Sequence, residues 1–490
     1  MRFSVTQHIL GLLIISFSIT LLVPICVSIW YQDEALAAFI IAFCVMSSIG
    51  IILWFPARKA KKELHLHDGF LITAIFWTVL SVVGALPFLF LSNIDNGPNL
   101  TVAQAVFESV SGFTTTGATV LKHIDDLPKS ILYYRQQLQW LGGLGIIVLA
   151  VAVLPMLGIG GMQLYRAETP GPMRDEKFTP RLENTAKTLL YIYIILTIAC
   201  AIAYWLAGMS TFDAIGHSYS TVATGGFSTH DESLGHFNSP MIEGIAMLFI
   251  ILGSLNFTVH FVAWHKADLH YYWRDIQGRV FIYIILFLII ITVITLMLHS
   301  EDAKHHNFWS ALRYGSFEVI SIISSTGYAI DDFSVWPLFL PVLILGSGFI
   351  GGCVGSTAGG FRVIRFILLY KQATREIMRL IHPNAVIVVK IDNKKVPDNV
   401  SQAMWGFTFL YMFSYVFLSI LFMATGADPL TAFSAIAATL NMTGPGLGDV
   451  TKHYGEIGNG GLWILSFTML LARLEIFTLL VLLTPAFWRR

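Results

Sequence analysis

Charge is scarce in this chain. Of its 490 residues only 12% are Asp, Glu, Lys or Arg, and 30 basic side chains balance 30 acidic ones. Charged side chains normally cover the surface of a soluble protein of this size, so the composition excludes that class. The formal net charge of zero removes the electrostatic footprint expected of a nucleic-acid partner. Cysteine is equally rare. Cys26, Cys44, Cys200 and Cys353 lie in or beside apolar stretches and form neither a disulfide framework nor a metal-ligand spacing. HExxH, G-x-S-x-G and paired acidic motifs within an apolar segment are all missing, which argues against an enzyme. The first apolar run is too long for a signal peptide and has no small-residue cleavage site, so it reads as a span.

What is present is apolar: 55% of the side chains are hydrophobic. Several runs exceed the length needed to cross a bilayer, about 20 residues. Ten spans can be drawn. The first two, 7–30 and 35–55, are joined directly. The other eight fall into four units that each hold a span, a short apolar run, a loop and a second span. Unit one is 69–91, 101–113 and 131–157; unit two is 182–207, 211–221 and 241–264. Unit three is 280–299, 308–323 and a broken span over 335–371; unit four is 400–425, 429–440 and 461–483. The short runs cannot cross, and irregular backbone at membrane depth is tolerated only where it lines protein or water. They read as re-entrant. The domain division is 1–62 for the first two spans, then 63–181, 182–278, 279–396 and 397–490 for the repeats.

Basic residues cluster on one side of this drawing. Arg58, Lys59, Lys61 and Lys62 fall there, as do Arg166, Arg174, Lys177, Arg181 and Lys187, the run 362–395, and Arg489 and Arg490. The opposite loops carry Asp125, Asp126, Asp231, Glu232, Asp331 and Asp332 instead. The bias places both termini in the cytoplasm.

The loop after each short run repeats a motif at roughly hundred-residue intervals, the mark of an internal repeat. The four copies are Thr115-Thr116-Gly117, Ala223-Thr224-Gly225, Ser325-Thr326-Gly327 and Met442-Thr443-Gly444. A cation that leaves water needs oxygens in place of its hydration shell, and rings of backbone carbonyls supply them in potassium-selective pores. Glycine permits the backbone angles that such a strand requires. Potassium at these residues is the expected ligand, with no covalent cofactor. Glu108, His217, Arg313 and Glu318 fall in the short runs. They read as hydrogen-bond partners of neighbouring pore backbone, with ion binding as the alternative.

Two further features stand out. Gly346, Gly348, Gly351, Gly352, Gly355, Gly359 and Gly360 interrupt the second span of unit three. Glycine costs about 1 kcal/mol in a helix interior, so this stretch should unwind. Gly346, Gly348 and Gly351 match G-x-G-x-x-G, but the βαβ unit that a dinucleotide site needs is missing. Arg473 sits mid-way along the last apolar run, where an arginine costs about 2.5–3.5 kcal/mol. Its neighbour Glu475 is two residues away and faces elsewhere on a helix.

In these motifs and their order the chain resembles the TrkH/TrkG branch of the Trk/Ktr/HKT superfamily of potassium transporters. The resemblance covers nearly the whole length. It implies an all-α integral membrane protein with ten transmembrane helices and four re-entrant pore helix–filter loops in pseudo-fourfold arrangement. It also implies potassium uptake across a bacterial inner membrane, with 346–360 as an intramembrane gate and Arg473 beneath the filter. The hydroxyls of Ser347, Ser356 and Thr357 and the bared carbonyls of the loop are expected to bond the Arg473 guanidinium. A homodimer and a cytoplasmic TrkA-type subunit that binds NAD or ATP are implied as partners, together with membrane lipid. A proton- or sodium-coupled symporter is the alternative, with Glu108, Glu318 and Glu475 as its candidate carboxylates.

The orientation is testable by itself. Asp126→Cys and Asp332→Cys should react with an impermeant thiol reagent applied to sealed cells, whereas Lys61→Cys and Lys394→Cys should stay unlabelled. Labelling of the second pair would overturn the ten-span drawing.

Overall fold

The computed structural model describes residues 3–58, 66–91, 98–148, 178–385, 387–391, 394–476, 480 and 484. Lys59, Lys61, Lys62, Arg166, Arg174, Lys177, Arg489 and Arg490, and the ends of the spans drawn over 131–157 and 461–483, lie outside them. The described chain is helical apart from one two-stranded antiparallel hairpin, β1 (Lys390–Ile391) with β2 (Lys394–Lys395).

The N-terminal unit consists of α1 (Phe3–Thr20), α2 (Leu22–Tyr31) and α3 (Leu36–Ala57). It packs on the first repeat, and Asp33 between α2 and α3 accepts a hydrogen bond from the Ser130 N–H at 2.9 Å. The first repeat runs α4 (Leu66–Val83), α5 (Leu86–Leu91), α6 (Val102–Phe113) and α7 (Lys129–Val148). The second runs α8 (Phe178–Leu206), α9 (Thr211–Val222), α10 (Pro240–Ser254), α11 (Phe257–Lys266) and the short α12 (His270–Arg274). The third runs α13 (Ile276–His299), α14 (Phe308–Ile323), α15 (Leu340–Ser347) and α16 (Val363–Ile381). The fourth runs α17 (Asp398–Met423), α18 (Pro429–Asn441) and α19 (Asn459–Arg473).

Six stretches are long and apolar enough to cross a membrane among the described residues, and a seventh if α10 and α11 are taken as one span. They include Thr6–Tyr31, Leu71–Leu91 and Val400–Met423. The smaller number, against ten drawn from sequence, has a physical reason: the second helices of the second, third and fourth repeats are interrupted. α10 and α11 meet at 97°, with Asn256 capping α11 through its side chain on the Thr258 N–H at 2.8 Å. α15 stops at Ser347 and the chain becomes helical again only at Val363. α19 stops at Arg473, and Glu475 and Ile476 then take positive φ of 52° and 43°. The single spans expected over 241–264 and 461–483 are therefore each broken.

The second helices hold the repeats in a cycle. α7 packs on α6 and α9, α10 on α9 and α14, α15 on α14 and α18, and α19 on α18 and α6. Each touches the short helix of its own repeat and that of the next. The short helices thus form the centre, and α4, α8, α13 and α17 stand outside them.

Candidate functional site

The four short helices start where the sequence caps them. Thr101, Ser210, Asn307 and Asp428 each accept a bond from a first-turn N–H through the side chain. The Thr101 cap is reciprocal with Gln104. Caps of this kind stabilise a helix end by about 1 kcal/mol. Beyond their first turns these helices are almost wholly buried.

All four end in the same backbone device. Thr116, Gly225, Thr326 and Thr443 donate their N–H groups back to Ser111, Ser220, Ser321 and Ala438 carbonyls at 2.8–2.9 Å. The residues just before them, Thr115, Thr224, Ser325 and Met442, have φ of 59°, 50°, 58° and 58°. The residues just after, Gly117, Gly226, Gly327 and Gly444, have φ of 83°, 81°, 78° and 82°. The second copy is therefore shifted by one residue from the Thr-Gly match. Gly226, not Gly225, is the equivalent of Gly117. Ala223 belongs to the helix end with Thr114 and Ser324, at φ −75° and ψ −6°. A second spacing signals the shift: Glu108, His217 and Glu318 lie nine residues before Gly117, Gly226 and Gly327 (117 − 108, 226 − 217, 327 − 318).

The segments meet in a closed ring. A Cβ placed on Gly117 would strike the Gly225 carbonyl oxygen, one on Gly226 the Thr326 oxygen, and one on Gly327 the Thr443 oxygen. One on Gly444 would stand 2.9 Å from the Thr116 oxygen. Each distance is under 3.0 Å, closer than real Cβ atoms come. Four carbonyls, from Thr116, Gly225, Thr326 and Thr443, thus sit at the junctions of four consecutive segments. Each short helix also brings the partial negative charge of its C-terminus to the ring.

The charged residues of the short helices brace this ring. Glu108 accepts from the Val120 N–H at 2.9 Å and from Arg135 Nε at 2.8 Å. Arg135 also donates to the Ser228 carbonyl at 3.1 Å and lies 4.2 Å from the Phe227 ring centroid. It therefore ties the first segment to the second. Glu318 accepts from the Ile330 and Asp331 N–H groups at 2.8 and 3.1 Å. His217 Nε2 meets Ser228 Oγ at 2.9 Å. In the fourth copy Ser434 both accepts from the Leu447 N–H and donates to its carbonyl. Arg313 is different, since its Nε donates to Glu243 on α10 at 2.7 Å. Arg135 and Glu243 lie near the starts of their apolar runs, so the mid-span position that marks Arg473 in the sequence does not mark them.

The glycine-rich stretch passes directly beneath the ring. Cys353 and Thr357 donate their N–H groups to the Ser254 and Gly253 carbonyls at 2.9 and 3.2 Å. Thr357 Oγ1 bonds the Val222 carbonyl at 3.0 Å and contacts Thr224 Oγ1 at 3.2 Å. Gly359 donates its N–H to Ser325 Oγ. Only Gly351, Gly355 and Gly360 use positive φ; Gly346 is helical and Gly348 ends that helix.

Arg473 is 1% exposed. Its guanidinium donates to the Gly142 carbonyl at 3.0 Å, reaches Met442 Sδ at 3.9 Å and lies 4.9 Å from the Trp77 ring centroid. The expected bonds from loop hydroxyls are not made. Ser347 and Ser356 turn back on the Ile344 and Cys353 carbonyls, and Thr357 is held by α10 and the second segment. The guanidinium is taken up elsewhere, by the Gly142 carbonyl, Met442 Sδ and the Trp77 ring. The loop and Arg473 instead share Met442, against which a Cβ on Gly359 would stand at 2.9 Å. Glu475 pairs with Arg365 at 2.7 Å rather than with Arg473.

On the opposite side of the ring, Asp125, His230 and His236 gather closely enough to suggest a metal site. Two of these residues already pair with each other. His230 Nδ1 pairs with Asp125 at 2.5 Å, and its ring stacks on His236 with centroids 3.6 Å apart and planes 2° apart. Its Nε2 faces Asp213 at 3.5 Å. Asp125 belongs to the first repeat and His230 and His236 to the second, so the cluster is a latch between the two repeats.

The profile of a known family, TrkH, described as a cation transport protein, matches residues 35–490. The chain is 51% identical over 494 residues to the Trk system potassium uptake protein TrkH of Vibrio parahaemolyticus, with 100% of both chains covered. It is 50% identical over 489 residues to TrkH of Escherichia coli, again with 100% of both covered. With the Trk system potassium uptake protein TrkG of Escherichia coli it shares 41% identity over 485 residues, covering 99% of this chain and 98% of that one. The crystal structure of the potassium transporter TrkH from Vibrio parahaemolyticus matches the fold with a TM-score of 0.92 at 49% identity, covering 100% of both chains.

Gly226→Ala should destabilise the protein more than Gly225→Ala. A side chain at φ 81° carries a strain of about 1–3 kcal/mol and meets backbone, whereas one on Gly225 meets only the Gln139 side chain. Equal melting temperatures would restore the unshifted register. The latch should depend on pH. Burial opposes the charge on His230, but hydrogen bonds to Asp213 and Asp125 raise its pKa above the ordinary value. Burial likewise opposes the charges on Asp125 and Asp213, and bonding to His230 lowers both carboxyls. The His230 contribution is complete below its ordinary value and is lost as pH rises through the raised one. The Asp contributions are complete above the ordinary carboxyl value and are lost as pH falls through the lowered ones. The melting-temperature advantage over His230→Gln should therefore peak between about pH 4 and pH 6.5 and shrink above it. A constant difference from pH 5 to 9 would contradict the latch. Asp231, His217 and His236 also face this site and stay unchanged in both proteins.

Proposed function

This chain belongs to the TrkH family of cation transport proteins, and on that premise we propose that it takes up potassium through one pathway per chain, selected at the ring of Thr116, Gly225, Thr326 and Thr443 carbonyls. It is a transporter and not an enzyme. The observation that carries the reading is the closure of the ring: four extended segments abut in cyclic order with one carbonyl at each junction. Such a ring offers oxygens in place of a hydration shell, and its field and spacing favour potassium over the smaller sodium ion. The flanking residues Thr115, Gly117, Thr224, Gly226, Ser325, Gly327, Met442 and Gly444 complete the segments.

In this reading the helices make ten spans, with α6, α9, α14 and α18 re-entrant and both termini cytoplasmic in a bacterial inner membrane. The basic bias of the loops supports that placement. The glycine-rich stretch 346–360 and Arg473 form the gate below the ring. The loop blocks by its bulk, and the arginine repels a cation by its charge. A homodimer with a TrkA-type cytoplasmic subunit, which carries the NAD or ATP site, completes the system. α16 and the hairpin tied to it by Lys371 on the Lys390 carbonyl give that subunit a basic face, one that anionic lipid also suits.

A coupled symporter would need a carboxylate on the path that is free to trade its proton. Glu108 is paired with Arg135 and Glu475 with Arg365, whereas Glu318 accepts two backbone N–H bonds at one oxygen and leaves the other buried without a partner. The two ion pairs favour permeation down the potassium gradient, and Glu318 is the carboxylate on which a coupled reading would turn.

Purified protein in liposomes should pass potassium and rubidium and exclude sodium; equal sodium flux would end the ring reading. Arg473→Ala should raise potassium flux with selectivity retained. Removal of residues 351–359 should raise it further, and the two changes together should be less than additive because both act through Met442. A folded Arg473→Ala protein with unaltered flux would reduce Arg473 to a packing residue.

A further inference from the structure

Three of the four ring positions are threonine and one is glycine. Thr116, Thr326 and Thr443 turn their hydroxyls away from the ring: Thr116 to Thr114 Oγ1 and Thr326 to Ser324 Oγ at 2.8 Å, and Thr443 to the Ala438 carbonyl at 3.3 Å. Gly225 has no side chain to do this. The volume it leaves is not empty. A Cβ on Gly225 would meet the Gln139 amide, with its carbon at 2.4 Å.

Gln139 lies on α7, in the first repeat, and is 0% exposed. Its Nε2 donates to the Gly225 carbonyl oxygen at 2.6 Å, and its Oε1 accepts from the Phe227 N–H at 3.1 Å. The orientation of the amide is settled by its partners. A backbone N–H can only donate, so the oxygen must face Phe227 and the NH₂ must face Gly225. The two bonds straddle Gly226, the residue held at positive φ. Among the described residues, no comparable side-chain donor reaches the Thr116, Thr326 or Thr443 carbonyl.

We infer that Gln139 is a specificity-determining residue of the ring, lent by the first repeat to the second in place of the missing threonine side chain. It acts in two ways. It fills the space behind the second segment, so that Gly226 keeps its conformation and its contact with the Thr326 oxygen. It also draws electron density from the Gly225 carbonyl, which leaves that oxygen a weaker ligand than its three counterparts. A weaker field disfavours the strongly hydrated sodium ion more than potassium. This inference rests on the ring being the selective element.

The test is a side-chain exchange, read as the ratio of potassium to sodium flux in liposomes. Gln139→Leu keeps the volume and removes the bond; the ratio should fall about fivefold, the worth of one neutral hydrogen bond. Gly225→Thr alone should fail in folding or selectivity, because the amide occupies the site. Gln139→Ala combined with Gly225→Thr should recover folding, as the threonine takes back the space, with the ratio still about fivefold low because the bond is gone. A folded Gln139→Leu protein with the wild-type ratio would overturn the inference, as would a double variant that folds no better than Gly225→Thr. If Gln139→Leu does not fold, a folded double variant with the lowered ratio supports the inference and one with the wild-type ratio overturns it. Absence of potassium preference in the unaltered protein would instead sink the ring reading itself.

Discussion

Everything in this protein serves the contact of one backbone with the next at four glycines. At each junction a carbonyl oxygen occupies the place where a side chain would otherwise begin. No flexible group lies between to absorb an error, so the short helices must end at one level and at one angle. That demand explains the effort spent around them. Capped first turns set where each helix starts. Buried acids or their substitutes then catch the strand that leaves the ring. Such buried polar bonds are costly to leave unmade, so they hold the strand in one register.

The helix breaks below the ring obey a related logic. When α10 stops at Ser254, its last carbonyls lose their partners within the helix. The loop from the third repeat supplies them through the Cys353 and Thr357 N–H groups. One irregular segment satisfies another, which lets non-helical backbone persist at this depth. A movement of the loop therefore uncaps α10 and releases Ser325 and Thr224 of two ring segments at the same time. The loop and the ring are one hydrogen-bonded assembly rather than a plug beneath a separate sieve.

The fourfold plan is repeated in backbone and varied in side chains. The position nine residues before the ring glycine is Glu108, His217 and Glu318 in three copies and Ala435 in the fourth, where the adjacent Ser434 takes over. Arg135 links the first and second copies, and Arg313 with Glu243 links the second and third. Arg473 links the fourth back to the first through the Gly142 carbonyl. A single chain can place a different brace at each junction, which four identical subunits cannot do.

Much of this was legible in the residues alone. Apolar runs and the recurring glycines identify helices, repeats and the central motif, because each depends on neighbours in the chain. The unwinding within 346–360, which starts only at Gly348, is also local, written in glycine content. The register of the second copy was misleading in the motif itself, since Thr224-Gly225 keeps the Thr-Gly pair, and only the nine-residue spacing from Glu108, His217 and Glu318 points to Gly226. The backbone angles and the contact of Gly226 with the Thr326 oxygen decide it. The partners of Arg473 and the place of Gln139 escaped for the same reason. Each is settled by a carbonyl from another repeat, more than eighty positions away in the chain. Sequence alone determined which elements exist and that they repeat; tertiary structure decided which atoms meet, because the deciding bonds run between repeats.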